Sequence, residues 1–298
     1  MATETPLRGT GVALATPFTA AGEVDIPALR RMLTHQMDGG VDFLCILATT
    51  GETPTLSEQE KATIRQVVHQ ETAGRLPLVL GYGGNNTAAL VSQLRHLDPT
   101  GLSALLSVCP YYNKPSQEGL YRHFRALADA SPLPIILYNV PSRTGVNLQA
   151  ATTLRLARDS SRIIAVKEAS GDMQQIRAIL RAAPEGFSVL SGDDALTLEM
   201  ISEGAVGVIS VIANALPHTF SSMVRHALAG ETRQAAAIDA QLQPLYALLT
   251  RDGNPAGLKS LLAALKLASN ALRLPLVPAT EATSEAIAQE IRLLGCTR

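Results

Sequence analysis

The sequence lacks the features that mark several large classes of function. It has no low-complexity tract and no run of like charges, and its 25 Lys+Arg stand against 26 Asp+Glu for a formal net charge of -1. With basic and acidic residues interspersed, nothing draws in nucleic acid or an anionic lipid surface from a distance. Cysteine is scarce: Cys45, Cys109 and Cys296 show no CxxC spacing. The first two sit inside or at the end of apolar runs, so they read as buried free thiols rather than a disulfide frame. The histidines His35, His69, His96, His123, His218 and His226 form no i, i+4 pair and no HExxH string. No zinc clamp, and hence no metal-dependent aldol chemistry, is expected. The opening MATETPLRGT has no basic stretch leading into an apolar one. The most apolar later segment, residues 204–216, is short and glycine-bearing for a membrane span. The expectation is a cytoplasmic protein with neither nucleic-acid nor membrane partners.

What is present is the material of a large buried core: 46% of the 298 residues are hydrophobic and only 17% charged. That length fits one α/β barrel with an appendage as readily as two domains. Short β-rich runs recur as GVALAT (11–16), FLCILA (43–48), PLVLGY (77–82), ALLSVC (104–109), PIILYN (134–139), RIIAVK (162–167), FSVLS (187–191) and VGVIS (206–210). Several are continuously apolar, as parallel strands covered by helices are. Helical patterns lie between them, one opening at Asp25-Ile26-Pro27 and closing at Gly39-Gly40, another headed by the capping box Ser57-x-x-Glu60.

Eight such alternations predict a (β/α)8 TIM barrel. A doubly wound open sheet is the alternative, but no dinucleotide fingerprint follows the first strand. The cluster Gly81-Tyr82-Gly83-Gly84 reads as tight backbone geometry rather than a phosphate cradle. After about residue 217 the signals are helical only, over 217–229, 231–250, 255–267 and 284–294. We therefore expect residues 1–229 to form the barrel with its active site and 230–298 a C-terminal helical extension.

Barrel enzymes work at the C-terminal ends of their strands, and unusual polar residues gather at those ends here. The second strand ends in Thr49-Thr50-Gly51-Glu52, the fourth runs into Tyr111-Tyr112-Asn113, the fifth ends at Tyr138-Asn139, the sixth at Lys167-Glu168 and the seventh at Gly192-Asp193-Asp194. Lys167 closes an apolar run, where an isolated ammonium is costly unless paired or deprotonated. Such an amine suits attack on a ketone, giving an iminium that draws electrons from the adjacent carbon. From position alone the other reading stands equally: a structural ion pair with Glu168 or Asp193. Tyr138 and Thr49 are the candidates for shuttling protons beside the lysine.

The strings GVALATPF, TTGE, CPYYNKPSQEG, ILYNVPSRTG, VKEASG and SGDD, in that order and across almost the whole chain, resemble the dihydrodipicolinate synthase family of pyruvate-dependent class I aldolases. The resemblance implies a lyase that needs no cofactor and condenses pyruvate with L-aspartate 4-semialdehyde in the diaminopimelate route to lysine. It implies Lys167 as Schiff-base nucleophile, Tyr138 as acid/base tyrosine and Thr49 as bridging hydroxyl. The amides of Thr49 and Thr50 would hold the pyruvate carboxylate. Tyr112 would complete the relay from a neighbouring subunit, in a homotetramer built as a dimer of dimers. Arg143 would bind the semialdehyde carboxylate, and Gly192 and Ile209 would line the pyruvate site. Ala48 stands where many relatives have glycine, and a positive φ there would strain the turn.

N-acetylneuraminate lyase and the 2-keto-3-deoxy-sugar-acid aldolases share the lysine chemistry, but typically lack the arginine of the SRTG string. A non-catalytic keto-acid-binding barrel normally loses a catalytic group, whereas Lys167, Tyr138, Thr49 and Tyr112 are all present. The resemblance further implies an effector cleft at Thr53, Pro54, Glu58, Lys61, Asn85, Ala89 and Tyr111. Ala89 and Lys61 there predict weak or absent inhibition by L-lysine.

Overall fold

The computed structural model describes residues 7–295. Eight parallel strands, β1 (Gly9–Ala13), β2 (Phe43–Ile46), β3 (Leu78–Gly81), β4 (Ala104–Val108), β5 (Ile135–Asn139), β6 (Ile163–Glu168), β7 (Ser188–Ser191) and β8 (Gly207–Ser210), close in chain order into a barrel. β8 pairs back onto β1 through Gly9↔Gly207 to Val12↔Ser210. The connecting helices are α1 (Ile26–Asp38), α2 (Glu58–Thr72), α3 (Thr87–Leu94), α4 (Gln117–Ala130), α5 (Pro141–Thr144), α6 (Ala150–Asp159), α7 (Met173–Ala182), α8 (Thr197–Ser202) and α9 (Pro217–Leu228). Beyond them run α10 (Thr232–Arg251), α11 (Ala256–Ala264) and α12 (Glu281–Leu293). The expected barrel and its trailing helices are therefore both present.

The helix starts follow from local chemistry. Asp25 accepts from the Ala28 amide to open α1. Ser57 and Glu60 exchange the two bonds of the capping box at α2, each such cap contributing about 1 kcal/mol. Several boundaries shift by a few residues from the sequence reading, and one has a visible cause: β1 covers residues 9–13 rather than 11–16. Leu14 still donates to the Cys45 carbonyl, but the next amide, Ala15, turns to the side-chain oxygen of Asn214. A long-range side-chain contact ends the ladder, and hydropathy carries no trace of it.

Alternation along the strands divides the core in two. Phe43 and Cys45, Ala104 and Leu106, Ile136 and Tyr138, with Ala165, Leu190 and Ile209, fill the barrel interior. Leu44, Ile46, Leu105, Leu137 and Val166 pack outward beneath the helices. On β6 this parity sends Lys167, two residues after Ala165, into the barrel, and Glu168 outward with Val166.

Candidate active site

The register between β5 and β6 sets Tyr138 opposite Lys167 and Asn139 opposite Glu168. The first pair faces the interior and the second faces out, so a single residue step separates a position inside the barrel from one beneath the helices. Lys167 is 4% exposed and its Nζ lies 4.5 Å from the centre of the Tyr138 ring, within cation–π range. The Glu168 carboxylate is engaged elsewhere, accepting from Asn139 Nδ2 at 3.0 and 3.1 Å, the Ser170 amide at 2.8 Å and Gln175 Nε2 at 3.2 Å. Its burial pushes the carboxyl above the ordinary range, against these bonds. Asp193 accepts from the Ala195 amide. Among the described residues no carboxylate stands within ion-pair distance of Lys167. The ion-pair reading of Lys167 therefore falls.

A cavity of about 400 Å³ opens above this pair, and Thr49, Thr50, Tyr138, Arg143, Lys167 and Gly192 all line it. Thr49–Gly51 is a single 3-10 turn after β2. Within it Gly51 donates to Ala48 and Glu52 to Thr49. The Thr49 and Thr50 amides, first in the turn, are left without an acceptor among the described residues. Two such adjacent N–H groups form a small anion hole. Ala48 is extended, with φ -100; the left-handed residues are Leu47 and Glu52. No strain falls on the alanine. The turn instead leans on Gly81, where a Cβ would come within 2.2 Å of the Leu47 carbonyl oxygen, which accounts for the first glycine of that cluster. Gly192 has a comparable role, since a Cβ there would approach Lys167 Cε to 3.1 Å.

Two expected residues lie apart from the cavity lining. Ile209 is fully buried in the interior cluster. Tyr112 is 84% exposed and holds a left-handed backbone, φ +75, a conformation costly for an aromatic residue. Asn254, Gln243, Tyr246 and Thr250 also line the cavity, on or just after α10, and sequence reasoning did not single them out. Asn254 Nδ2 donates to Thr50 Oγ1 at 3.0 Å, and its carbonyl accepts from Arg143 at 3.2 Å. Asp194 accepts from the Val211 and Ile212 amides and is pushed up to about 6 by burial.

Cys45 and Cys109 are buried free thiols, each pushed up to about 12 by burial; Cys296 lies outside the described residues. No group of three metal-ligating side chains converges among the described residues. No helix among them is long and apolar enough to cross a membrane.

The profile of the dihydrodipicolinate synthetase family matches residues 6–293. A 4-hydroxy-tetrahydrodipicolinate synthase of Phocaeicola vulgatus is 50% identical over 97% of this chain and 99% of its own. The dihydrodipicolinate synthase structure from Thermotoga maritima superposes with a TM-score of 0.94 at 35% identity, covering 97% of this chain and 99% of that one. A solved chain described as the first monomeric dihydrodipicolinate synthase variant gives a TM-score of 0.94 at 36% identity over 98% of both.

Proposed function

We infer that this chain, which belongs to the dihydrodipicolinate synthetase family, performs the 4-hydroxy-tetrahydrodipicolinate synthase reaction with Lys167 as its amine. The activity is that of a lyase of the diaminopimelate route to lysine, and its substrates are pyruvate and L-aspartate 4-semialdehyde. The observation that carries the assignment of roles is the pairing of Tyr138 with Lys167 on the inner face of the barrel, free of any carboxylate.

Lys167 Nζ adds to the pyruvate C2 carbonyl, and loss of water leaves an iminium. Loss of a C3 proton gives an enamine, which forms a carbon–carbon bond to the aldehyde carbon of the second substrate. The new alkoxide takes a proton, a role suited to the Tyr138 hydroxyl with Thr49 as the bridge to it, and attack of the second substrate's amine on the regenerated iminium closes the ring and releases Lys167 as the free amine. The two free amides of the Thr49–Thr50 turn suit the pyruvate carboxylate. Gly192 leaves room beside the lysine, and Ile209 closes the interior beneath it. Arg143 at the cavity lining suits the semialdehyde carboxylate.

Tyr112 completes the relay in a second copy of the chain, within a homotetramer built as a dimer of dimers; its exposure and costly backbone support that role. The division into a barrel over 1–229 and an extension over 230–298 belongs to the same reading, as does a cytoplasmic location. A coupled assay with pyruvate and aspartate semialdehyde, run beside a sialic acid cleavage assay, tests it. Turnover is expected in the first alone. Turnover in the second alone would move the chain to the N-acetylneuraminate lyase reading.

A further inference from the structure

The turn that presents the Thr49 and Thr50 amides ends at Glu52, a left-handed residue only 2% exposed. Its carboxylate is fully buried, on the residue that closes the turn carrying the amides that suit an incoming carboxylate. A negative charge in that place opposes an anionic substrate unless it is compensated. The compensation comes from the far end of the sequence. Lys259, 1% exposed on the almost wholly buried helix α11, forms an ion pair with one Glu52 oxygen. The other Glu52 oxygen accepts from the Arg273 amide at 3.2 Å.

Lys259 is itself held in place. It donates to the Ala271 carbonyl at 2.8 Å and lies 4.1 Å from the centre of the Phe18 ring. The Arg273 guanidinium stacks on the same ring at 4.4 Å, donates to Thr55 at 2.9 Å and pairs with Glu60. Burial pushes the Lys259 ammonium below its ordinary range, and Glu52 pulls it back. Just before α11, Asn254 reaches Thr50 Oγ1. The last helices of the chain therefore grip the carboxylate-binding turn at its middle and at its end.

We propose that Lys259 is a positioning residue for pyruvate: by neutralising Glu52 and fixing it, this lysine keeps the Thr49 and Thr50 amides aimed at the substrate and free of an opposing charge. The inference rests on the carboxylate role of that turn given above. It makes α11, none of whose residues lines the cavity, part of substrate binding.

The experiment compares steady-state kinetics and thermal melting for the full chain and its Lys259→Met, Lys259→Gln and Glu52→Gln/Lys259→Met variants. Loss of the charge is expected to raise the pyruvate KM roughly ten-fold or more, the scale of one lost charge-assisted interaction. kcat should stay within a few-fold, because Lys167 and Tyr138 are untouched. The double variant removes both charges at nearly constant volume, so its pyruvate KM should return toward that of the parent chain. Lys259→Gln retains a donor toward Ala271 and supplies the answer should Lys259→Met not fold. A lowered melting temperature with the parent's pyruvate KM in either single variant would make the pair structural only and overturn the proposal, as would a double variant that stays impaired. A parent chain that forms no pyruvate imine at Lys167 would instead sink the site reading itself.

Discussion

Arg143 lies on the short helix α5, just past Tyr138, with one guanidinium nitrogen donating to the Asn254 backbone carbonyl and, among the described residues, no partner on its remaining donors, which suit a carboxylate. Replacing it with alanine should leave imine formation with pyruvate near the parent level while weakening use of the semialdehyde. Each lost charged hydrogen bond costs about 1.5 to 3 kcal/mol, or roughly ten- to a hundred-fold in kcat/KM. Kinetics with the aldehyde varied at saturating pyruvate decide it, and an unchanged kcat/KM would reassign the residue. Lys167 and Tyr138 were readable from the sequence because strand ends announce themselves by a polar residue closing an apolar run. The ion-pair alternative for Lys167 could be settled only by the folded chain, where strand parity turns Glu168 away and Asp193 stands beyond ion-pair distance. Lys259 was legible in principle, as a lone lysine within the apolar stretch AGLKSLLAA, but its partner lies some two hundred residues earlier and no local pattern joins the two. Asn254 had no signal of its own.

Between α2 and α3 lies a second cavity lined by Thr53, Glu58, Lys61, Asn85 and Ala89. Lys61 donates to Glu58 at 2.8 Å on the same helix, so the carboxylate in this cleft that suits an effector's ammonium already has a cation beside it. Ala89 offers no polar atom. Initial rates at subsaturating pyruvate should therefore respond weakly or not at all to L-lysine, and strong inhibition in the submillimolar range would show the cleft rebuilt by other groups.

On α4, burial pushes His123 down to about 4; its Nδ1 meets Thr87 Oγ1 at 2.8 Å and its buried Nε2 has no partner among the described residues. The unfolded chain, with a histidine pKa near about 6.5, takes up that proton first. Stability is thus whole above about pH 6.5 and drains as pH falls toward 4. Through this group, unfolding free energy should drop by about 2 kcal/mol from pH 7 to pH 5. Urea titrations of the parent and of His123→Asn at both values check this, and an identical pH dependence in the two would contradict it. The strands and helices themselves were largely legible, since apolar runs, Pro at helix starts and capping serines are local. The early end of β1 was not, because Asn214 imposes it from across the barrel.

At the scale of the whole molecule, barrel closure brings residues at the ends of four strands, Thr49 and Thr50 after β2, Tyr138 on β5, Lys167 on β6 and Gly192 after β7, around one cavity, and α10 supplies the wall that the strands cannot. The barrel could be inferred from eight alternations, whereas the reach of α10 and the segment just after it over the mouth could not, since helix periodicity tells which face is buried and not against what. Tyr112 lies outside the cavity lining of the single chain, and the proposed second copy that would complete the relay carries the same logic one level higher. All of this turns on the amine at the centre. Incubating the full chain with pyruvate, reducing with borohydride and mapping the peptides tests the account most directly. One pyruvate-derived group per chain on Lys167, absent when pyruvate is omitted, is the predicted result; an unmodified Lys167 peptide under those conditions would contradict it.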